Sequence, residues 1–132
     1  GKPILFAKFK NKEKVFFGLP GNPISSAACF RFFVYPYLSV ILNIKEEKPF
    51  KARLINKFKK KKNFTRFLKG KLTSTNNGNL QIKILQGQES FRIKSFIKSN
   101  VWGVFRAGQS TFKKGHLIEC HFPILSNKNI FY

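Results

Sequence analysis

The stretch Gly18-Leu-Pro-Gly-Asn-Pro23, followed by Ser25 and Ser26, has the residue types and order of an anion cradle. A strand that ends in a glycine-rich turn and opens a helix leaves the first helical N–H groups without intrahelical partners, and the helix dipole favours negative charge there. Asn22 is a strong N-cap, and Pro23 suits the first helical position, where its missing N–H would have gone unpaired anyway. Gly21 lets backbone approach a phosphate closely, and the hydroxyls of Ser25 and Ser26 can add donors. Taken alone, the same residues also describe a tight, well-capped turn that binds nothing. The stretch is neither a Walker loop nor a dinucleotide fingerprint.

The remaining chemistry is defined largely by what is scarce. The 132 residues contain no Asp and five Glu (Glu13, Glu46, Glu47, Glu89 and Glu119) against 26 Lys and Arg, a formal charge of +21. Such a chain can hardly build a multi-carboxylate metal cage or a hydrolytic carboxylate pair, and its natural partner is an anion. Cys29 and Cys120 lack the spacing of a zinc site and read as buried free thiols, which fits a reducing, cytoplasmic setting. His116 and His121 have no nucleophile or paired acid nearby in sequence and read as strand or surface residues. Lys57 to Lys62 enclose Phe58 and continue into Arg66 and Phe67, which resembles a nucleic-acid patch; a solvated hairpin has the same pattern. Twenty-one Lys against five Arg, with abundant Phe, Ile and Asn, is also what coding bias in an AT-rich genome produces. Trp102 and its Phe neighbours read as core.

These residues need elements to hold them. Pro3–Phe9 and Lys14–Leu19 are predicted strands, the second apolar on both faces, as in a sheet covered by helices on each side. The helix opening at Pro23 is apolar around nearly its whole circumference, which predicts burial, and Pro36 is expected to kink it or split off a final segment to Ile41. Ile24–Ile44 is apolar enough to be weighed as a membrane span, but Arg31 and Pro36 argue against one, so no membrane partner is expected; Gly1–Lys14 has no secretory h-region. Near Lys45–Pro49 the pattern turns to strand alternation. The expected division is 1–47, the end of an α/β domain; 48–125, an all-β domain; and a frayed tail, 126–132. Strands are predicted at Lys51–Lys59, Phe64–Leu72, Leu80–Leu85, Val101–Phe105 and Leu117–Phe122, with turns at Asn76-Asn-Gly78 and Lys114-Gly115. They suggest a small open barrel or sandwich of antiparallel strands. Ser90–Asn100 is equally compatible with a short helix, a loop or a strand. The absence of Met suggests a piece of a longer protein, and 1–47 reads as part of a sheet with exposed edges, prone to aggregate.

Gly1-Lys-Pro3, Val15-Phe-Phe-Gly-Leu-Pro-Gly-Asn-Pro-Ile-Ser-Ser26 and Phe30-Arg-Phe-Phe-Val-Tyr-Pro-Tyr-Leu38 closely resemble the molybdopterin molybdenumtransferase family, which includes the gephyrin E domain. Ala52-Arg-Leu54, Phe64-Thr-Arg-Phe67, Gln88, Ser90, Ser95-Phe96, Asn100 and Lys114-Gly115 resemble recurrent positions of its C-terminal β domain. The resemblance covers the chain to about Ile124 and corresponds to the last third of a longer family protein. It implies the end of a molybdopterin-binding three-layer α/β domain followed by a β-barrel-like domain. It also implies an enzyme that inserts molybdate into adenylylated molybdopterin and releases AMP, with Mg2+ assisting and a homodimer as the working unit.

By resemblance, molybdate contacts fall on Lys2, Pro3, Arg66 and Ser90 or Ser95, and molybdopterin or phosphate contacts on Gly18, Pro20, Gly21, Asn22, Pro23, Ser25 and Ser26. The acidic magnesium ligands are expected upstream of Gly1, so no metal site is expected within the chain and the chain alone should be inactive. Two departures stand out. Glu89 replaces a common Gly, and Lys94 replaces a common Ser beside Ser95. A basic β domain that binds nucleic acid and a non-catalytic scaffolding module are the alternatives to the enzyme, nucleic acid being set below the enzyme reading.

Overall fold

The computed structural model describes residues 4–45, 47–87 and 93–123, with only the backbone described for Ile93 and Ser95. The chain divides into two compact units, Gly1–Glu47 and Lys48–Tyr132.

In the first unit, β1 (Leu5–Lys8) and β2 (Val15–Gly18) form a two-stranded antiparallel hairpin running from Leu5 opposite Gly18 to Lys8 opposite Val15. The helix α1 (Pro23–Cys29) opens where the sequence places it. A π-helical turn, Phe30–Val34, follows, and α2 (Tyr35–Ile41) completes the rod. Pro36 explains the wide turn. Its missing N–H removes one bond of the ladder, and the register relaxes just upstream, where Tyr35 N–H donates to the Phe30 carbonyl. The rod ends at Asn43, whose φ of 49° is left-handed, as Ile44 N–H closes back on the Ser39 carbonyl at 2.9 Å.

The rod meets the hairpin through Tyr37, whose ring centre lies 5.5 Å from that of Phe17 and 6.4 Å from that of Phe6. Burial departs from the sequence expectation. Only Ile24, Arg31 and Val34 of the rod are buried, β1 is exposed throughout and β2 is half-buried at best. A two-stranded ribbon offers a helix one face to lie on, so the described residues of this unit do not form a three-layer α/β domain. Pro23–Ile41 is also long and apolar enough to cross a membrane, by length and composition. Arg31 is nevertheless accommodated within the protein. Its guanidinium pairs with Glu47 and lies 5.5 Å from the ring centres of Phe32 and Tyr35.

The second unit is a closed five-stranded barrel with the order β3 (Phe50–Leu54), β6 (Leu80–Ile84), β5 (Arg66–Ser74), β7 (Val101–Phe105) and β9 (Leu117–His121). Four pairings are antiparallel, and β3 with β6 is parallel. The barrel-like domain expected here is present, and that pairing closes it, which corrects the open form and the wholly antiparallel strands expected from alternation. A parallel partner comes from a distant part of the chain, and local pattern does not encode it. A short ladder, β4 (Phe58–Lys59) with β8 (Thr111–Phe112), stands beside the barrel, and α3 (Ile93–Ile97) settles part of the ambiguous segment as helix. β8 escapes sequence reading because two residues carry no alternation.

Alternation does identify the core. Ala52, Leu54, Leu68, Ile82, Ile84, Val101, Phe105, Ile118 and Cys120 point inward and, with Phe112, form one buried cluster. The Asn-Gly turn between β5 and β6 forms as its residues require, with Gly78 at φ 76° and its N–H on the Thr75 carbonyl at 2.9 Å. Two side-chain amides extend ladders by imitating peptide groups. Asn56 both donates to and accepts from the Ile84 backbone (3.2 and 2.9 Å), and Asn100 does the same with Leu72 (3.2 and 2.7 Å).

Candidate functional site

The structure places Asn22 as the cap that its position implies, with extended backbone and Oδ1 accepting from Ile24 N–H at 3.1 Å and Ser25 N–H at 3.3 Å. Ser26 N–H already bonds the Asn22 carbonyl at 2.8 Å. The helix mouth is therefore filled by its own cap, which corrects the expectation of a ring of unpaired amides. A side-chain oxygen on the residue before the helix reaches those donors at no cost in association entropy, so an external anion must displace it.

The turn keeps other donors. No hydrogen bond from the N–H of Gly21 or Asn22, or from the hydroxyls of Ser25 and Ser26, falls among the described residues. A Cβ built on Gly21 would meet nothing within 4 Å, so this approach is open. Gly18 serves a different purpose: a Cβ there would lie 3.0 Å from that of Leu5, so the glycine permits the hairpin to close.

In the barrel unit, Arg66 opens β5 opposite Phe105, exposed, with no hydrogen bond or ion pair among the described residues. Lys2, Pro3 and Ser90 lie outside the described residues, as does the side chain of Ser95. The structure thus brings none of the candidate oxyanion ligands into described contact with another.

Sequence reading missed Lys69. It sits on the outer face of β5, opposite Trp102, yet is completely buried, and its Nζ donates to the Gly87 carbonyl at 3.1 Å. Its own carbonyl accepts from Leu85 N–H at 3.2 Å. Lys69 therefore grips both sides of the turn leading into Gln88–Ser90, the stretch that carries a candidate ligand. Arg66, three residues earlier, projects from the opposite face of the strand. The only sequence signal was a lysine flanked by Leu68 and Gly70 inside an apolar strand. Trp102 is buried as expected, though on the outside of the barrel, with its ring 5.9 Å from Phe96 of α3.

The titratable groups elsewhere serve the fold. Glu119 accepts from Arg106 (2.6 and 3.2 Å) and lies 2.9 Å from His121 Nε2. Burial pushes its carboxyl upward, but the hydrogen bonds and charges of His121 and Arg106 outweigh this and hold it below its ordinary value. Cys120 is buried as expected, whereas Cys29 is half-exposed, because the rod around it is largely uncovered. Among the described residues no group of three or more His, Cys, Asp or Glu comes together.

A closed all-β barrel with a buried lysine at the root of one loop, preceded by a hairpin and a capped helix, defines the class. Residues 51–122 match the model of the MoeA C-terminal region (domain IV), and the chain belongs to that family. It is 28% identical over 119 residues to a molybdopterin molybdenumtransferase of Synechococcus elongatus, covering 90% of this chain and 28% of the relative. It is 32% identical over 124 residues to one from Synechocystis sp., covering 93% and 28%. Among solved structures, a molybdopterin biosynthesis MoeA protein from Pyrococcus horikoshii superposes with a TM-score of 0.67 at 26% identity, over 92% of this chain and 29% of that one. The chain spans less than a third of the length of these relatives.

Proposed function

We propose that this chain supplies the C-terminal part of a molybdopterin molybdenumtransferase, which inserts molybdate into adenylylated molybdopterin and releases AMP during molybdenum cofactor assembly. The observation that carries the reading is the family match over the whole barrel, together with relatives of that name along nearly all of the chain. In this reading the first unit is the end of a molybdopterin-binding α/β domain whose other elements would cover the hairpin and rod. The working form is a cytoplasmic homodimer.

The roles follow from oxyanion chemistry. Molybdate and phosphate both present oxygens to donors, and an Arg fork, a Lys ammonium, hydroxyls and backbone N–H groups answer them. Arg66 is exposed and available; Lys2, Pro3, Ser90 and Ser95 complete the proposed oxyanion set. Lys69 is a positioning residue that holds Gly87, which in sequence lies just before the proposed ligand Ser90. At the turn, Gly21 N–H, Asn22 N–H, Ser25 and Ser26 face phosphate, with Gly18, Pro20 and Pro23 shaping the approach. Magnesium is assigned to residues outside this chain, and no step through it is given to the residues described.

The test is molybdate-dependent AMP release from adenylylated molybdopterin by the assembled enzyme. Arg66→Ala is expected to lower molybdate affinity at least tenfold with the fold retained. Lys69→Met should do likewise, and Lys69→Arg should restore much of the loss, because a buried donor returns to Gly87. A folded enzyme that releases no AMP overturns the function. Unchanged affinity in either variant removes that residue from its role.

A further inference from the structure

We propose that the ribbon formed by β4, β8 and the loops running from them is a binding surface for single-stranded nucleic acid. Between Lys48 and Ile118 the sequence has a single acid, Glu89, so the basic residues of the ribbon have almost no acid near them in sequence. Phe58 pairs with Phe112, and both rings pack on Phe105, at 5.1 and 4.8 Å. Strand alternation then turns Lys59 to the opposite face, and Lys59 is exposed, as are Lys57, Lys61, Lys62, Lys113 and Lys114 around it in sequence. The ladder holds two residue pairs, Phe58 with Phe112 and Lys59 with Thr111, and Lys57 and Lys113 lie just beyond it in sequence.

Lys60 ties the loops of this surface together. Alone among the lysines of its run it is buried: its Nζ donates to the carbonyls of Gln109 (2.6 Å), Phe64 (2.7 Å) and Lys61 (3.4 Å) and sits 5.7 Å from the Phe112 ring centre. Lys60 N–H to Ser110 O (2.8 Å), Gly108 N–H to Lys62 O (2.9 Å) and Ala107 N–H to Thr65 Oγ1 (3.0 Å) continue the clamp. One ammonium thus holds the 60–65 loop against the 106–110 loop. That clamp presents Phe64, 60% exposed, between Lys62 and Arg66. An exposed aromatic held among lysines provides a stacking face beside phosphate-binding cations, which is how single strands are bound without regard to sequence.

The test uses the whole chain and fluorescence anisotropy with labelled oligouridylate and oligothymidylate, and heparin as a polyanion without bases. Lys57→Glu with Lys59→Glu should weaken oligonucleotide binding more than tenfold and lower the salt slope by roughly 1.4, the value for two phosphates on a single strand. The same charge change on the barrel wall, Lys71→Glu with Lys83→Glu, should change binding less than twofold. Phe64→Ala should weaken oligonucleotide binding at least about fivefold and leave heparin binding unchanged. Equal losses from the two double variants overturn the proposal in favour of diffuse charge. A Phe64→Ala effect that is absent, or shared with heparin, overturns it in favour of a surface for acidic polypeptides.

Discussion

Cys120 and Glu119, neighbours on β9, show how one strand gives adjacent side chains opposite chemistry. Cys120 faces the core, and burial pushes its thiol up to about 12 despite a hydrogen bond involving the Ala52 backbone that pulls it down. At neutral pH it has almost no thiolate. Iodoacetamide is therefore expected to modify only half-exposed Cys29 in the folded protein, with Cys120 reacting after guanidinium unfolding, as read by peptide mass spectrometry. Glu119 faces outward, and its lowered carboxyl value stabilises the fold above the carboxylate range and ceases to do so as pH falls through the folded value. Arg106 is largely exposed, so solvent screens the pair. Glu119→Gln should lower stability by under about 1 kcal/mol near neutrality. The difference from wild type should vanish near pH 3, which urea midpoints at the two values will show. At this scale the sequence revealed the Asn22 cap and the buried thiol Cys120, but not that Lys60 and Lys69 would be buried. A lysine in a strand reads as solvated until the loop that covers it is known.

At the scale of elements, glycine placement separates packing from access. A Cβ on Gly70 would lie 2.8 Å from both Cγ1 and Cδ1 of Ile82, and 3.2 Å from Val101 Cγ1, at the centre of the barrel. Gly70→Ala is expected to destabilise by about 1–3 kcal/mol through overpacking, with Ile82→Val relieving part of it. Gly21→Ala, with nothing within 4 Å, should be near neutral in stability, and denaturation of the two variants distinguishes the cases. The turns at Asn22-Pro23, Asn76-Asn-Gly78 and Lys114-Gly115 were legible because their geometry depends on a few consecutive residues. The proline-induced break was also legible, although its form, a widened turn upstream of Pro36, depended on which carbonyl found a donor. The expected strand Lys51–Lys59 is instead two, because the Asn56 side chain takes the place of a strand peptide against Ile84.

At the scale of the molecule, the low number of acids makes a protease that cuts after Glu a sparse probe. Glu46 and Glu47 lie where the two compact units meet in sequence, whereas Glu119 lies within β9. Early cleavage is expected at 46–47, leaving a barrel fragment that keeps the fluorescence of buried Trp102, with cleavage after Glu119 only on unfolding; early loss of the Trp102 signal would show that the barrel does not stand alone. The sequence by itself determined the short-range features: the change from helical to strand pattern near Lys45–Pro49, the inward rows of each strand, the capped helix start and the family's residue pattern. Tertiary structure alone decided that β3 meets β6 to close the barrel and that two lysines become internal struts. The reason is physical: capping, turn and alternation energies arise between residues a few positions apart. Closure and the burial of charge depend on partners dozens of positions away, whose approach no local pattern encodes.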